Sequence, residues 1–550
     1  MELLEKYFDT AFAASDGIKK LRESIMTLAM QGKLLPQNLH DEPTESLIQK
    51  NRKLIFEATG GKQKKVPDLH DAKVEIPAGW IRCQLSDVAL VVMGNSPPGN
   101  TYNDHGDGIP LINGPVEFSP GAFGPTLRTK YTTAPSRLCQ KDDLIVCVRG
   151  ATTGRTNVSA FEACIGRGVA LVRGWAAQPY LNYLFLRLGQ KLLEQGKGTT
   201  FPSISYSDLA GLEIWLPPLA EQRRIVAKVD QLMARCDELE KLRAERDRLK
   251  ITVHKAACDR LLTAPDTATF TQSWQFITQH FSELYTVKEN VAQLRKAILQ
   301  LAVMGKLVPQ NPNDPSAQEL LKEIDTEKER LLKEKKIRAP IVSSKIESME
   351  VPHLLPTGWQ YMRLGDFGYI LGGGTPNKSD GKCWNGTIPW IRPKNMKVDY
   401  ISDSQDRISD FALSKSTVKL IPENSLLMVV RGMILAHSFP AALTTAVVTI
   451  NQDMKALCPY VSSTANYLLL STKGRKDYFL GLIERSSHGT CRLETSKLFS
   501  TVLAVPPLLE QHRIVAKVDQ LMTLCDTLEQ QIDATTQKQT ALLDAVIAQL

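Results

Sequence analysis

Residues 221–233 read EQRRIVAKVDQLM and residues 510–522 read EQHRIVAKVDQLM, so twelve of thirteen positions recur 289 residues downstream. The repeat extends well beyond this stretch. LRESIMTLAMQGKLLPQN at 21–38 returns as LRKAILQLAVMGKLVPQN at 294–311, with 11 of 18 identical at an offset of 273. PAGW ending at Trp80 returns as PTGW ending at Trp359, and IPLI at 109–112 as IPWI at 388–391, both at an offset of 279. VRG at 148–150 matches VRG at 430–432, and NYL at Asn182 matches NYL at Asn466. The matches are collinear, so the 550 residues are two tandem copies of one unit, the second with a longer middle.

Each unit has three parts. The first is helical: VAQLRKAILQLAVMGKL places Val291, Leu294, Ile298, Leu301 and Ala302 on one face and stops at Gly305, with Pro309 beyond. A polar helix, SAQELLKEIDTEKERLLKEKK, follows in the second copy. The middles, about 75–216 and 352–505, switch to short apolar runs such as DLIVCVRG and LLMVVRG between Gly, Pro, Ser and Asn clusters, which predicts strands and turns with some helix. Pro217-Pro218 and Pro506-Pro507 end the middles and start the third part.

In that third part Ile514, Val518, Leu521, Cys525, Leu528 and Ile532 alternate steps of four and three, a coiled-coil seam continuing to Leu542 and Val546. The first copy keeps Ile225, Val229, Leu232, Cys236 and Leu239, and its pattern then predicts a phase shift to Leu242, Leu249 and Val253. Packing constrains only the seam. The equally repeated polar positions, Glu221, Gln222, Arg224, Lys228 and Asp230 with Glu510, Gln511, Arg513, Lys517 and Asp519, therefore predict one surface presented twice to two copies of a partner.

Composition sets the limits. A chain of 550 residues, 43% hydrophobic and 23% charged, exceeds one hydrophobic core. No apolar run approaches the ~20 residues of a membrane helix; LLMVVRGMILA is broken by Arg431. The acidic start MELLEKYFDT is unlike a secretion signal, which predicts a cytoplasmic protein. The ten cysteines form no C-x-x-C pair, so they are read as buried thiols without a metal site.

Net charge is +8, and its distribution says more. Residues 128–197 carry a net +7 and residues 359–505 a net +6, so a basic block occupies each middle. Motifs for catalysis fail. GNSPPGNT at 94–101 has Asn100 where a phosphate loop needs lysine, and GGGTPNKS at 372–379 has Asn377 where it needs the second glycine. SPPG at 96–99 lacks the aromatic of an amino-methyltransferase site. No histidine has an evident nucleophile partner, and no metal or catalytic constellation is found.

The two divergent middles, GGGTPNKSDGKCWNGTIPWIRPKNM, NQDMKAL and the twin PPL.EQ.RIVAKVDQLM helices resemble the DNA-specificity subunit of type I restriction-modification enzymes along the whole chain. The resemblance implies that each middle is a target-recognition domain similar to that of TaqI-type methyltransferases, and that the repeated helices are spacers. It implies a non-catalytic reader of double-stranded DNA that recruits two methyltransferase subunits and, through them, motor-nuclease subunits. S-adenosylmethionine, ATP and Mg²⁺ are expected on those partners, with no cofactor in this chain. A methylation-only system is the alternative, and a coiled-coil scaffold without DNA function is the rival of another class. The chain departs from shorter members in a helical insertion between Phe270 and Lys345.

The expected fold is α+β (mixed): two tandem, pseudo-twofold-related units, each with a globular α/β target-recognition domain, joined by long antiparallel coiled-coil spacer helices. The expected regions are 1–74 helical, 75–216 first reader, 217–351 central spacer, 352–505 second reader and 506–550 terminal coiled coil. Two such readers predict a bipartite, asymmetric site. Candidate DNA contacts are Arg149, Arg155, Arg167, Lys197, Thr199, Thr200 and Ser203 in the first reader. Arg392, Lys394, Arg431, Arg485, Ser486 and Arg492 are their counterparts in the second. All combine Lys or Arg with Gly, Ser and Thr in turn-like settings. Arg149 and Arg431 end apolar runs at matching positions, so a structural role there stands beside the DNA role. Gly79-Trp80 and Gly358-Trp359 are read as turn and core rather than as base-stacking groups.

Overall fold

The computed structural model describes residues 14, 16–62, 66–67, 76–121, 123–195, 203–337, 345–347, 350–351, 354–485 and 489–548. The chain divides into two compact units, residues 1–245 with 536–550, and residues 246–535. Helix and strand are mixed in both.

In the first unit, strands Ile81–Gln84 and Glu213–Leu216 pair antiparallel with Ile81 opposite Leu216, tying together the two ends of the first middle. Between them lies an antiparallel sheet ordered Leu90–Met93, Val169–Arg173, Leu144–Cys147, Thr156–Val158. Strands Leu90–Met93 and Leu144–Cys147 and residues 169–172 read as unbroken apolar runs because both faces are covered. Leu144, Val146, Ala170 and Val172 face the helical side. Ile145, Cys147, Val169 and Leu171 join Ile112 and Ile165 of a second, five-stranded sheet.

The second unit repeats the plan. Gln360–Arg363 pairs with Val502–Val505, and Leu426–Val429, buried throughout, lies within a five-stranded sheet. The IPLI and IPWI segments are equivalent in three dimensions as well, each making a parallel pair, Leu111 with Cys164 and Trp390 with Thr449. The NYL match is out of register. Tyr180 donates to the carbonyl of Trp215 at 3.1 Å and Tyr467 to that of Ala504 at 2.8 Å, so Tyr467 corresponds to Tyr180 rather than to Tyr183. All ten cysteines are buried and unpaired.

The helices Leu219–Leu262 and Leu508–Ile547 follow the two middles. Their seam residues find a partner in each unit, and it is the first helix of the same repeat. Ile225, Val229 and Cys236 pack with Ile18, Ile25 and Met26 of Gly17–Met30. Ile514, Val518 and Cys525 pack with Val291, Ile298 and Leu301 of Lys288–Val303. Matching ion pairs fix the same register, Arg22 to Asp237 at 2.6 Å and Arg295 to Asp526 at 2.7 Å. The expected phase shift does not occur. Leu242, Leu249 and Val253 are exposed, while polar residues occupy the continuing seam. Arg243 donates to the Ala14 carbonyl at 2.6 Å, and Lys250 to Thr286 at 2.9 Å. His254 is buried between Tyr285 and Gln293. In the second helix Leu543, rather than Leu542, is the buried seam residue and packs on Ala14. The tail of this helix thus belongs to the first unit, apart from the rest of its own repeat. Within the central helical region, Lys288–Val303 and Ala317–Lys333 correspond to Gly17–Met30 and Thr44–Thr59 of the first copy. Helices Thr267–Gln279 and Phe281–Leu284 of that region lack a counterpart among the described residues of the first copy. No helix among those residues is long and apolar enough to cross a membrane.

The start of each long helix explains most of the repeated polar pattern, and not as expected. Glu221 and Gln222, and Glu510 and Gln511, are at most 2% exposed and present no surface to a partner. The Trp80 indole N–H donates to Glu221 at 3.1 Å, and that of Trp359 to Glu510 at 3.1 Å. Gln222 and Gln511 donate to the carbonyls of Pro217 at 2.8 Å and Pro506 at 3.0 Å. Arg224 pairs with Asp41 at 2.5 Å and Arg513 with Asp314 at 2.6 Å. The first turn of a helix packed at the edge of a domain is touched from all sides, so helical periodicity does not reveal which of its residues face water. Glycine completes the joint: Gly32 and Gly305 have φ of +68° and +70°, and a Cβ there would lie 2.6 and 2.5 Å from Pro77 and Pro356. Gly79-Trp80 and Gly358-Trp359 are turn and core, with Trp80 6% and Trp359 4% exposed.

Burial raises the Glu221 and Glu510 carboxyls above their ordinary value, against the pull of their indole and glutamine donors. A folded-state value above the unfolded one contributes stability that is present below the unfolded value, near 4.5, and lost as pH rises through the folded one. Glu510→Gln keeps an acceptor for Trp359 and removes the buried charge, so its stability relative to the parent should improve as pH rises above 5. Trp359→Phe strands the carboxylate and should cost about 2 kcal/mol. Urea titrations followed by circular dichroism across pH check both, and a pH-independent difference between Glu510→Gln and the parent would contradict the first.

Candidate nucleic-acid interface

The candidate arginines of the first reader gather at the end of the buried strand Leu144–Cys147. Backbone bonds bring them together: Cys147 N–H to the Arg155 carbonyl at 2.8 Å, Val148 N–H to Gly168 at 2.9 Å, and Ile204 N–H to Val148 at 2.9 Å. Arg149 and Ser203 form an isolated bridge, so Arg149, Arg155, Arg167 and Ser203 share one edge of the domain. The three arginines are exposed. Arg155 reaches the Ser119 carbonyl at 3.4 Å, and the Arg167 N–H is held by the Ser96 hydroxyl at 3.2 Å. Lys197, Thr199 and Thr200 lie outside the described residues.

In the second reader the same strand end, after Leu426–Val429, organises the same kind of edge. Val430 and Arg431 N–H groups donate to the Asp453 carbonyl at 2.9 and 3.2 Å, and Leu493 N–H to Val430 at 2.9 Å. Arg431 bridges to Arg492, whose strand Cys491–Leu493 pairs with Ile483–Arg485. Arg431, Arg485 and Arg492 are exposed. Ser486 lies outside the described residues. Arg392 adjoins this edge, since the Ile391 carbonyl accepts from Asn451 at 3.0 Å, but its charge is engaged. Arg392 and Lys394 both bind Asp406. Although burial opposes it, these two cations hold the Asp406 carboxyl below its ordinary value.

Sequence reasoning missed Gln452. The Val148–Gly168 and Val430–Asp453 backbone bonds are equivalent, which puts exposed Gln452 where the first reader has Arg167. Ser96 and Thr375, at equivalent loops, tether these two positions by their hydroxyls. The signal was present in the segment NQDMKAL, but its match to GRGVALV is too weak to align without the backbone pairing. The glycines of the failed phosphate loops also find their reason here. A Cβ on Gly94 would meet the Gly166 carbonyl oxygen at 2.2 Å, and one on Gly373 that of Asn451 at 1.9 Å. They permit two backbone segments to cross.

Of the residues expected to meet a partner, six remain at the helix surface or in its ion pairs. Arg224 and Arg513 are half-exposed within their pairs. Lys228 and Lys517 each reach a glutamine one turn on, Gln231 at 3.3 Å and Gln520 at 3.1 Å. Exposed Asp230 accepts from the Tyr183 hydroxyl. Its counterpart Asp519 is raised by burial and by nearby Asp399.

Against known proteins, the family of the type I restriction modification DNA specificity domain matches at residues 77–249 and 356–537. The chain is 28% identical to the type I restriction enzyme EcoAI specificity subunit of Escherichia coli, covering 96% of this chain and 93% of that protein. It is 26% identical to the EcoEI specificity subunit of the same organism over the same shares. The crystal structure of the HsdS subunit from Thermoanaerobacter tengcongensis aligns at 29% identity and a TM-score of 0.28, over 41% of this chain and 52% of that one. The two family matches cover both readers and the starts of both long helices, so the chain belongs to the family of type I restriction-modification DNA specificity subunits.

Proposed function

We propose that this chain reads a bipartite, asymmetric site on double-stranded DNA and recruits two methyltransferase subunits, and through them motor-nuclease subunits, without itself catalysing a reaction. S-adenosylmethionine, ATP and Mg²⁺ belong to those partners in this reading, and the complex acts in the cytoplasm. The observation that carries it is the matched pair of strand ends, Arg149 with Arg167 in one reader and Arg431 with Gln452 in the other. Exposed cations on turns position a phosphate backbone, and side chains beside them reach base edges. Arginine pairs with guanine and glutamine with adenine in the major groove, so unlike residues at one structural position give unlike half-sites. The long helices act as spacers in this reading, an antiparallel pair that holds two pseudo-twofold-related readers apart. At ~1.5 Å per residue, the 44 residues of Leu219–Leu262 span on the order of 65 Å.

Substituting Arg167→Gln should change the preferred base at one position of one half-site and lower affinity for the original site by about 1–3 kcal/mol. Gln452→Arg should do the same in the other half. Selection from randomised duplexes by the assembled complex checks both, and a change spread over both halves would contradict independent readers. Salt titration of the parent should show a steep loss of affinity, as phosphate neutralisation requires.

Two partner copies are expected from the duplicated helix surface that remains after the joint is subtracted. Reversing charge at Lys228 and Lys517 together should reduce the bound methyltransferase from two to none, whereas either change alone should leave one. Native mass spectrometry of the co-expressed complex reads the count; a single copy on the parent chain would refute the stoichiometry.

A further inference from the structure

The second unit contains a cavity of about 470 Å³, lined among others by Leu262, Val303, Met304, Ser471, Arg475 and Tyr478. That volume falls in the range of small-molecule sites, and the walls are mostly aliphatic and aromatic. Arg475 sets this cavity apart. Its guanidinium donates to the Val502 carbonyl and stacks over the Tyr478 ring at 4.4 Å, and among the described residues no carboxylate pairs with it. The nearest acidic residue in sequence, Asp477, is already taken by Lys296 at 2.5 Å. Burial pulls the Arg475 pKa below its usual value, the mark of a cation held without a counter-charge. Beside it lies the Ser471 hydroxyl, 2% exposed, which makes no hydrogen bond of good geometry among the described residues although the Tyr467 phenol is close to it.

The first unit shows that the fold does not need either group. With Tyr180 equivalent to Tyr467, the positions four and eight residues on are Leu184 and Leu188, against Ser471 and Arg475. Leu184 and Leu188 belong to the core there. A half-buried cation without a carboxylate partner among the described residues and a buried, poorly satisfied hydroxyl, placed where the twin domain uses leucine, carry a cost that a bound anion would offset. Asp259 and the Lys296-paired Asp477, both exposed on the cavity lining, disfavour a second negative charge on that anion.

We propose that this cavity binds a small amphipathic monoanion, a carboxylate whose charged end meets Arg475 and Ser471 and whose apolar end lies against Leu262, Val303 and Met304. Arg475 offers N–H donors beyond the one used on Val502, in the fork that suits a carboxylate.

Octanoate is the probe, titrated into the full-length protein and followed by ligand-observed NMR. Saturable binding is expected at millimolar concentrations or below, weakened at least about tenfold in Arg475→Leu and about threefold in Ser471→Ala. Octan-1-ol, which has the same apolar tail and no charge, should not saturate. Arg475→Leu should retain its circular dichroism spectrum, since leucine fills the matching place in the first unit. If that variant misfolds, the Ser471→Ala and octan-1-ol comparisons decide. Equal binding of octanoate and octan-1-ol, equal binding to parent and Arg475→Leu, or no saturable binding would overturn the proposal. Loss of methyltransferase assembly in Arg475→Leu, without octanoate binding to the parent, would overturn it too and assign the cavity to a partner's side chain.

Discussion

An indole N–H donated to a buried glutamate, once in each unit, is the contact on which the placement of the readers depends. Trp80 enters from the turn that opens the first middle, and Glu221 lies in the first turn of the helix that follows it. Trp359 and Glu510 repeat the arrangement. Because the carboxylates are almost fully buried, each needs its donors, and a charge-assisted bond in such a place is strong and directional. The neighbouring ion pairs, Arg224–Asp41 and Arg513–Asp314, and the close glycines at 32 and 305 bring a third segment into the same knot. Three segments distant in sequence meet there, so the angle between reader and helix is set by one polar cluster rather than by a flexible link.

This joint changes what the duplication means. Twelve identical residues in thirteen suggested a surface shown twice, yet four of the polar positions are interior. Their identity follows from building the same joint twice with the same parts. The differences between the copies sit elsewhere, on the loops at the ends of Leu144–Cys147 and Leu426–Val429, where exposed side chains are free of packing constraint. The common scaffold is thus held by buried polar geometry, and the variable chemistry is left to exposed turns. The cavity beside Arg475 is a third kind of difference, a polar replacement inside the scaffold itself.

Much was legible in the primary structure. The two-copy plan, the helical first and third parts, the sheet-rich middles, the ten buried thiols and the family all followed from repeats, periodicity and composition. Hydrophobic periodicity also found the seam over Ile225–Cys236 and Ile514–Cys525, because there one helix face meets one neighbour. It failed beyond Leu239, where Arg243, Lys250 and His254 occupy the seam and bind specific polar partners, a pattern that an apolar repeat cannot reveal.

The sequence by itself therefore determined what is local or periodic: element types, the duplicated order, and the basic character of both readers. Tertiary structure decided what depends on segments remote in sequence. It buried Glu221 and Glu510, moved the equivalence of Tyr467 from Tyr183 to Tyr180, gathered Arg149, Arg155, Arg167 and Ser203 at one edge, and placed Gln452 opposite Arg167 in the comparison of the two readers. It also left Arg475 without a carboxylate partner among the described residues. The physical reason is common to these cases. A polar side chain takes its role from its hydrogen-bond partners and its exposure to water, and both are fixed only when distant parts of the chain are brought together.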